Sequence, residues 1–144
     1  IGLLEIKTFD DERSANFDVA NFDAYRRSLL TSAYRLDADY LIFAYQLDEA
    51  GALTIPSIWL KKIWEITGSS ERYPLKCQVK QNIIYNIRPI AWYSDRATYK
   101  PFESRYDFVS ALHQTIGLYT REKEADSWLA RVKSKYAEQV GHPL

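Results

Sequence analysis

The sequence has no methionine and only one cysteine, Cys77, so no disulfide bond can form within the chain. It also has no run near the roughly 18 consecutive apolar residues that a membrane span requires, and nothing in it resembles a signal peptide. Net charge is absent too, because 19 basic residues balance 19 acidic ones. A chain of zero net charge has no global attraction for a polyanion, although local positive clusters can still bind one. These absences predict a cytoplasmic protein that does not enter a membrane.

What the chain does contain is enough apolar material for one domain. Of its 144 residues, 47% are hydrophobic, 15% are aromatic and 26% are charged. A chain of this length and composition can bury a substantial core, so we expect a single domain over residues 1–144. The chain lacks Met and enters an apolar strand at Ile1 with no preceding cap or turn. We therefore expect that the domain lacks its N-terminal part.

The first stretch, residues 2–8, places two charged side chains inside an apolar strand. Glu5 and Lys7 lie two residues apart, so in an extended chain they project from one face, about 7 Å apart. Leu4 and Ile6 take the other face, and their burial would fix the direction of the charges. A carboxylate beside an ammonium can ligate Mg²⁺ and stabilise the charge that develops when a phosphodiester is attacked. The bare pattern arises about once by chance in such a chain, so an ion pair or a solvated strand end remains open.

A helix and a second strand follow the charged strand. Asn21 is suited to cap a helix, with Asp23 in the first turn. Residues 40–47 form a nearly continuous apolar run, which is typical of a strand buried on both faces. The order strand, helix, strand predicts a right-handed crossover and a parallel pair, with the first strand at the centre of the sheet. Since buried charges are costly unless they are paired or bind a metal, this position favours a functional role for Glu5 and Lys7.

Three arginines, Arg26, Arg27 and Arg35, fall largely outside the apolar face of this helix. They could face a phosphate backbone, but an ordinary solvated face is the simpler explanation for each of them.

The remaining segments predict further strands and two helices. Residues 52–55 should return antiparallel, with Pro56 interrupting the strand. Residues 57–67 fit either a strand or a helix, and we prefer the strand. A capping-box pattern begins a helix at residues 104–107, which should end at Gly117. A second amphipathic helix should run from about Arg121 to Val140. The whole predicts an α/β (α+β) fold in which helices flank a mixed β-sheet.

Residues 75–89 combine local positive charge with amide and aromatic groups. Such groups suit a phosphate backbone or the edge of a base, although a strand facing solvent would show the same alternation. We predict DNA contacts for five of these residues, which are Lys76, Gln78, Lys80, Asn86 and Arg88. Cys77 falls on the apolar side and is better explained as a small core residue than as a nucleophile.

The order of an acid-x-Lys strand, a crossover helix and a buried strand resembles the core of the PD-(D/E)xK nuclease superfamily, with Glu5-Ile-Lys7 matching the second half of its motif. Residues 62–68 (KIWEITG) and 85–89 (YNIRP) resemble type II restriction endonucleases of the NgoBV/NlaIV group, which is understood to cut GGNNCC. This resemblance implies a restriction-endonuclease-like core and Mg²⁺-dependent hydrolysis of double-stranded DNA at a short palindromic site. Glu5 would then ligate Mg²⁺, and Lys7 would position or activate the attacking water.

The chain departs from the superfamily pattern at one point. The preceding strand, which carries the Asp of the motif, has no counterpart here. Either that strand precedes Ile1, or one of the acids Asp10, Asp18 and Asp23 replaces it; otherwise the chain would be inactive. Cutting a palindrome also implies a homodimer, since protein symmetry must match DNA symmetry.

Other classes of function remain to be weighed. The main alternative is a non-catalytic DNA-binding or protein-interaction domain in which Glu5 and Lys7 simply form a pair. A small-molecule enzyme is disfavoured because no His, Cys or Ser stands in a recognisable catalytic arrangement.

Overall fold

The computed structural model describes residues 2–119 and 122–144, which form two three-stranded sheets and three α-helices. Ile1 and Arg121, where the sequence suggested that elements begin, lie outside these described residues. The predicted mixed fold is confirmed. The elements in chain order are β1 (Leu4–Asp10), β2 (Ala20–Asn21), α1 (Phe22–Ser28), a 3₁₀ turn (Ala33–Asp37), β3 (Asp39–Leu47), β4 (Leu53–Lys62), a second 3₁₀ turn (Ile63–Glu65), β5 (Cys77–Lys80), β6 (Ile83–Ile87), α2 (Arg105–Tyr119) and α3 (Glu122–Val140).

The first sheet has the order β1-β3-β4 and contains the predicted parallel pair. β1 runs parallel to β3, with Glu5 opposite Tyr40 and Lys7 opposite Ile42, while β4 returns antiparallel. Within the described residues β1 pairs only with β3, so the expectation that it is the central strand was wrong. The second sheet, of order β2-β6-β5, is antiparallel throughout.

The two faces of β1 are the reverse of what its apolar residues suggested. Leu4 and Ile6 are 58% and 60% exposed, whereas Glu5 and Lys7 are half-buried on the side facing the core. The cause is the register with β3, because the buried residues of β3, such as Tyr40, lie on the same face as Glu5. β3 itself alternates between buried and partly exposed residues, so the expectation that it is buried on both faces was also wrong.

The opposite face of the first sheet is an apolar surface, to which its three strands and the β3–β4 turn contribute. Its large side chains are 47–61% exposed, and they are Leu4, Ile6, Leu47, Leu53, Ile55, Ile58 and Leu60. Part of this face forms an apolar groove of about 460 Å³ between Thr8 and the β3–β4 hairpin. Monomeric proteins seldom leave so large a contiguous apolar patch bare.

Pro56 does not interrupt β4, contrary to the sequence-based expectation. The strand continues to Lys62, and the chain then forms a 3₁₀ turn, so only the first part of residues 57–67 is a strand. Pro56 is tolerated because β4 is an edge strand of the described sheet and its pairing is irregular between Ala44 and Gln46, where a missing N–H costs little.

The helices begin largely where the sequence suggested, but one ends later. The Asn21 side chain accepts a hydrogen bond from the backbone N–H of Ala24 at 2.9 Å, and the Ser104 hydroxyl caps α2 by accepting from the Asp107 N–H at 3.1 Å. Gly117 lies inside α2 rather than ending it. The buried stripe of α2 outweighs the modest helix penalty of one glycine.

Asp37 joins the first 3₁₀ turn to both long helices. Its carboxylate accepts hydrogen bonds from the Arg105 Nε at 2.7 Å and from the Tyr136 hydroxyl at 2.6 Å. Its backbone carbonyl accepts a third from the Lys62 Nζ at 2.8 Å. The turn, which also carries Arg35, is therefore held in place from three directions.

None of the helices in the described ranges is both long and apolar enough to span a bilayer.

Candidate active site

Glu5 and Lys7 line a cleft of about 260 Å³ between the first sheet and α1. β1 supplies both charges, and β3 supplies Tyr40 beside them. The 3₁₀ turn supplies Arg35. The remaining lining residues belong to β2, to the residue before it and to α1. They are Val19, Ala20, Asn21, Ala24 and Tyr25.

The two charges of β1 are not bonded to each other. Their side chains make no ion pair within 4.0 Å and no hydrogen bond with any part of the chain that the structure describes. The alternative in which Glu5 and Lys7 simply pair therefore finds no support. Both side chains are half-buried and open to the cleft, which leaves the carboxylate and the ammonium available to a ligand.

Two tyrosines give the wall of the cleft a neutral, polar character. Burial raises the pKa of Tyr40, and the nearby Glu5 carboxylate raises that pKa further. Burial also raises the pKa of Tyr25 well above 10.0, with Tyr40 and Asp37 adding to the effect and Arg35 opposing it. Both phenols therefore keep their protons at neutral pH and can act as hydrogen-bond donors.

The three arginines noted in the sequence have different surroundings. Arg26 pairs with Asp23 at 2.8 Å and with Glu124 at 3.8 Å, and Arg27 pairs with Asp23 at 3.1 Å. Arg35 makes no ion pair within the described ranges and lies in the cleft, with its Cζ 5.8 Å from the centre of the Tyr25 ring. Only Arg35 of the three is thus placed to meet a ligand bound beside Glu5.

The acids considered as further metal ligands are engaged elsewhere. Asp10 accepts a hydrogen bond from the Glu12 N–H at 3.0 Å, Asp18 pairs with Arg88 at 3.2 Å, and Asp23 holds the two arginines of α1. None of them lines the cleft. Across the described ranges, no three His, Cys, Asp or Glu side chains gather closely enough to hold a metal ion.

Four of the five predicted DNA contacts cluster on the second sheet. Lys76, Gln78 and Arg88 line a cleft of about 310 Å³. Asn86 joins them, since its Nδ2 donates to the Gln78 Oε1 at 3.1 Å. Lys80 lies at the end of β5, where its Nζ is 6.0 Å from the centre of the Tyr85 ring.

This cluster adjoins the cleft of Glu5 through β2. Asn21, which lines that cleft, is paired directly with Asn86 across the second sheet. Arg88 is partly neutralised, because it pairs with Asp18 and donates to the Asn16 carbonyl oxygen. Lys76 and Lys80 make no ion pair within the described ranges, so no acidic side chain there competes with a phosphate for them.

Sequence reasoning missed the roles of Tyr25 and Tyr40 in this cleft, because each occupies an apolar position in its element. The available signal was that a tyrosine, unlike phenylalanine, carries a hydroxyl that needs a partner when buried. Cys77 is only partly exposed, and burial raises its pKa to about 12, so the thiol stays protonated, as expected of a structural residue.

Comparison with known proteins gives consistent matches. The sequence profile described as NgoBV restriction endonuclease matches residues 1–144. The type II restriction enzyme NlaIV of Neisseria lactamica is 44% identical over 115 residues, which are 79% of this chain and 47% of that enzyme. The type II restriction enzyme NgoBV of Neisseria gonorrhoeae is 32% identical over 79 residues, which are 55% of this chain and 45% of that enzyme.

The solved structure of NlaIV restriction endonuclease superposes with a TM-score of 0.93 at 36% identity, covering 99% of this chain and 58% of that one. The chain thus spans about half the length of the relatives it matches.

Proposed function

This chain belongs to the NgoBV restriction endonuclease family, and from that premise we propose that it hydrolyses phosphodiester bonds of double-stranded DNA at a short specific site. The observation that carries the proposal is the unpaired carboxylate and ammonium, Glu5 and Lys7, in one cleft. Burying two such charges without bonding them to each other is costly unless a ligand uses them. A phosphodiester and a divalent cation together would use both.

The residues in the cleft fit a divalent cation in part. Mg²⁺ in phosphoryl-transfer sites is commonly held by one or two carboxylates, with waters and substrate phosphate as the other ligands. Glu5 is the one carboxylate among the cleft residues and suits one of these positions, so the other ligands would be water and the phosphate. A Mg²⁺ ion bound there would stabilise negative charge on the phosphate oxygens.

Lys7 has the role of positioning the attacking water and stabilising the negative charge that builds up on the non-bridging oxygens of the phosphate. Water adds to the phosphorus and releases a proton to solvent, one P–O bond of the backbone breaks, and the leaving oxygen takes up a proton from solvent. The Lys7 ammonium has no competing carboxylate within 4.0 Å in the described ranges, so its positive charge remains available to the reacting group.

The second sheet is proposed to hold the DNA duplex. Lys76, Lys80 and Arg88 would contact phosphates, while Gln78 and Asn86 could read base edges. The position of Asn86 supports this, because its strand partner Asn21 lines the cleft of Glu5, so the two surfaces are adjacent. Replacing Lys76 and Lys80 by alanine should lower the slope of log affinity against log salt by about 0.9 for each phosphate that the variant no longer neutralises. An unchanged slope would reject these contacts.

The recognition site and the oligomeric state are the finer parts of this proposal. We propose a palindromic site such as GGNNCC, and with it a homodimer, because two-fold related halves of the DNA need two-fold related active sites. Sedimentation of the protein with and without a palindromic duplex tests this. A single protomer on the duplex under cleaving conditions would contradict it.

The central experiment compares Lys7→Ala and Glu5→Gln with the unaltered full chain in a DNA cleavage assay containing Mg²⁺. Both variants should lose cleavage by at least about a hundredfold while retaining the fold and duplex binding. Lys133→Ala, which removes an exposed lysine of α3, is the matched control and should cut normally. Unchanged cutting by Lys7→Ala would refute the proposed site.

Titrating Mg²⁺ against these variants separates a nuclease from a binding domain. A non-catalytic DNA-binding domain should show no metal affinity that depends on Glu5, whereas the proposed site loses that affinity in Glu5→Gln.

A further inference from the structure

Tyr25, one of the residues that line the cleft, carries a buried hydroxyl without a partner in the described part of the chain. Tyr25 is only 3% exposed, and its hydroxyl makes no hydrogen bond within the described residues. Buried polar groups are almost always paired, because leaving one unpaired costs stability. Tyr25 lines the cleft, so a molecule bound there could supply the missing acceptor.

The charges around this hydroxyl favour an anion. Of the residues that line the cleft, two are cationic, Lys7 and Arg35, and one is anionic, Glu5. Arg35 makes no ion pair within the described ranges, and its guanidinium lies close to the ring of Tyr25. A guanidinium presents several N–H donors in one plane, which matches the oxygens of a phosphate.

We propose that Tyr25 and Arg35, together with Lys7, form a binding site for the non-bridging oxygens of a phosphate group. The inference deepens the proposed function and rests on it in one respect, namely that the phosphate is the one beside the bond to be cut. Tyr25 donates its O–H to one oxygen, and Arg35 and Lys7 supply the positive charge. Tyr25 and Arg35 are the binding residues that this inference adds to the Glu5 and Lys7 pair already described.

The protonation state of Tyr25 suits this role. Because its pKa is raised well above 10.0, the phenol stays neutral and donates rather than repelling an anion. Three neighbouring groups affect this pKa: Tyr40 and Asp37 raise it, and Arg35 lowers it because its positive charge favours negative charge nearby. The opposing charge in the cleft is Glu5.

The backbone that carries Arg35 is also held in position. It belongs to the 3₁₀ turn whose last residue, Asp37, is fixed by Arg105, Tyr136 and Lys62. A donor fixed before the ligand arrives loses little freedom on binding, which favours affinity.

The first experiment measures the binding of inorganic phosphate to the full chain from the rise in Tm with phosphate concentration, with chloride keeping the ionic strength constant. Tyr25→Phe and Arg35→Gln should each weaken the apparent affinity by about tenfold, since each removes a donor to a charged group. Tyr45→Phe, on the opposite face of the sheet, and Arg27→Gln, on the exposed surface of α1, are the matched controls and should bind as the unaltered chain does. Glu5→Gln should bind phosphate more tightly.

A second measurement distinguishes a binding role from a structural one. Without phosphate, Tyr25→Phe should be at least as stable as the unaltered chain, because it removes an unpaired buried hydroxyl. If Tyr25→Phe is instead destabilised, the hydroxyl has a structural partner and the inference is overturned. Phosphate affinity that is unchanged in both Tyr25→Phe and Arg35→Gln overturns it as well.

Duplex DNA identifies the source of the phosphate and separates this inference from the proposed function. If the group belongs to the DNA backbone, inorganic phosphate should compete with a duplex, and Tyr25→Phe should raise the KM for DNA. If phosphate binding depends on both residues but no duplex is cut, the anion site stands and the proposed cleavage fails. If Lys7→Ala abolishes cutting while Tyr25→Phe and Arg35→Gln leave phosphate affinity and KM unchanged, the proposed function stands and this inference fails.

Discussion

Removing the hydroxyl of Tyr136 tests whether Asp37 holds the fold around the cleft. Tyr136 is fully buried, and its hydroxyl donates to the Asp37 carboxylate at 2.6 Å. A hydrogen bond to a charged group contributes about 1.5 to 3 kcal/mol, so Tyr136→Phe should lower the free energy of unfolding by that amount. The Asp37 carboxylate keeps its bond from Arg105, which limits the destabilisation. The ring of residue 136 also remains, so the Arg105 guanidinium can still stack on it, as it does on Tyr136 with its Cζ 4.8 Å from the ring centre.

At this chain length, each kcal/mol lowers Tm by about 3 °C, so Tyr136→Phe should melt roughly 5 to 9 °C below the unaltered protein. Urea unfolding followed by circular dichroism measures the free energy directly. Tyr106→Phe is the matched control, because Tyr106 is 50% exposed, and it should change the free energy of unfolding by less than about 0.5 kcal/mol. A change equally small in Tyr136→Phe would show that Asp37 does not fasten the 3₁₀ turn to the helices, and the reasoning would fail.

Gly68→Ala should lower the free energy of unfolding by more than about 1 kcal/mol, because a Cβ there would lie 2.7 Å from the Lys100 carbonyl oxygen. Urea unfolding measures the decrease, and unchanged stability would contradict that close approach. Gly117→Ala, in the interior of α2, should instead add about 0.5 to 1 kcal/mol in the same assay, because beyond the neighbouring backbone of the helix no atom of the described residues lies within 4 Å of the new Cβ. The free energy of unfolding should fall as pH rises above 10, because Tyr25 and Tyr40 hold their protons in the folded protein but lose them in the unfolded chain. The decrease is at most about 1.4 kcal/mol per pH unit for each tyrosine. Urea titrations between about pH 8 and 11.5 check this, and a flat profile would refute it.

Local chemistry made several elements predictable from the sequence. The cap at Asn21, the capped start of α2 at Ser104 and the parallel pairing of β1 with β3 each depend on nearby residues or on a general rule of chain connection. The presence of Glu5 and Lys7 on one face of a strand was equally a local property. What these features share is that a local pattern or the order of elements along the chain is enough to indicate them.

The orientation of β1 could not be obtained in this way. Leu4 and Ile6 were expected to be buried because they are apolar, but strand pairing decided the outcome and turned Glu5 and Lys7 toward the core. The unpaired hydroxyl of Tyr25 was also invisible in the sequence, since a tyrosine on an apolar face is usually satisfied by a neighbour. Both features depend on packing between elements distant in the chain.

The strict alternation of side chains along β1 has a consequence for how this protein can vary. A slip of β1 by one residue along β3 would present Leu4 and Ile6 to the cleft and send both charges to the outer surface. A slip of two residues would restore the charged face to the cleft. An insertion or deletion after β1 could be accommodated by such a slip. A change of an odd number of residues would then remove Glu5 and Lys7 from the cleft, whereas a change of an even number would keep a charged face there, whatever its size.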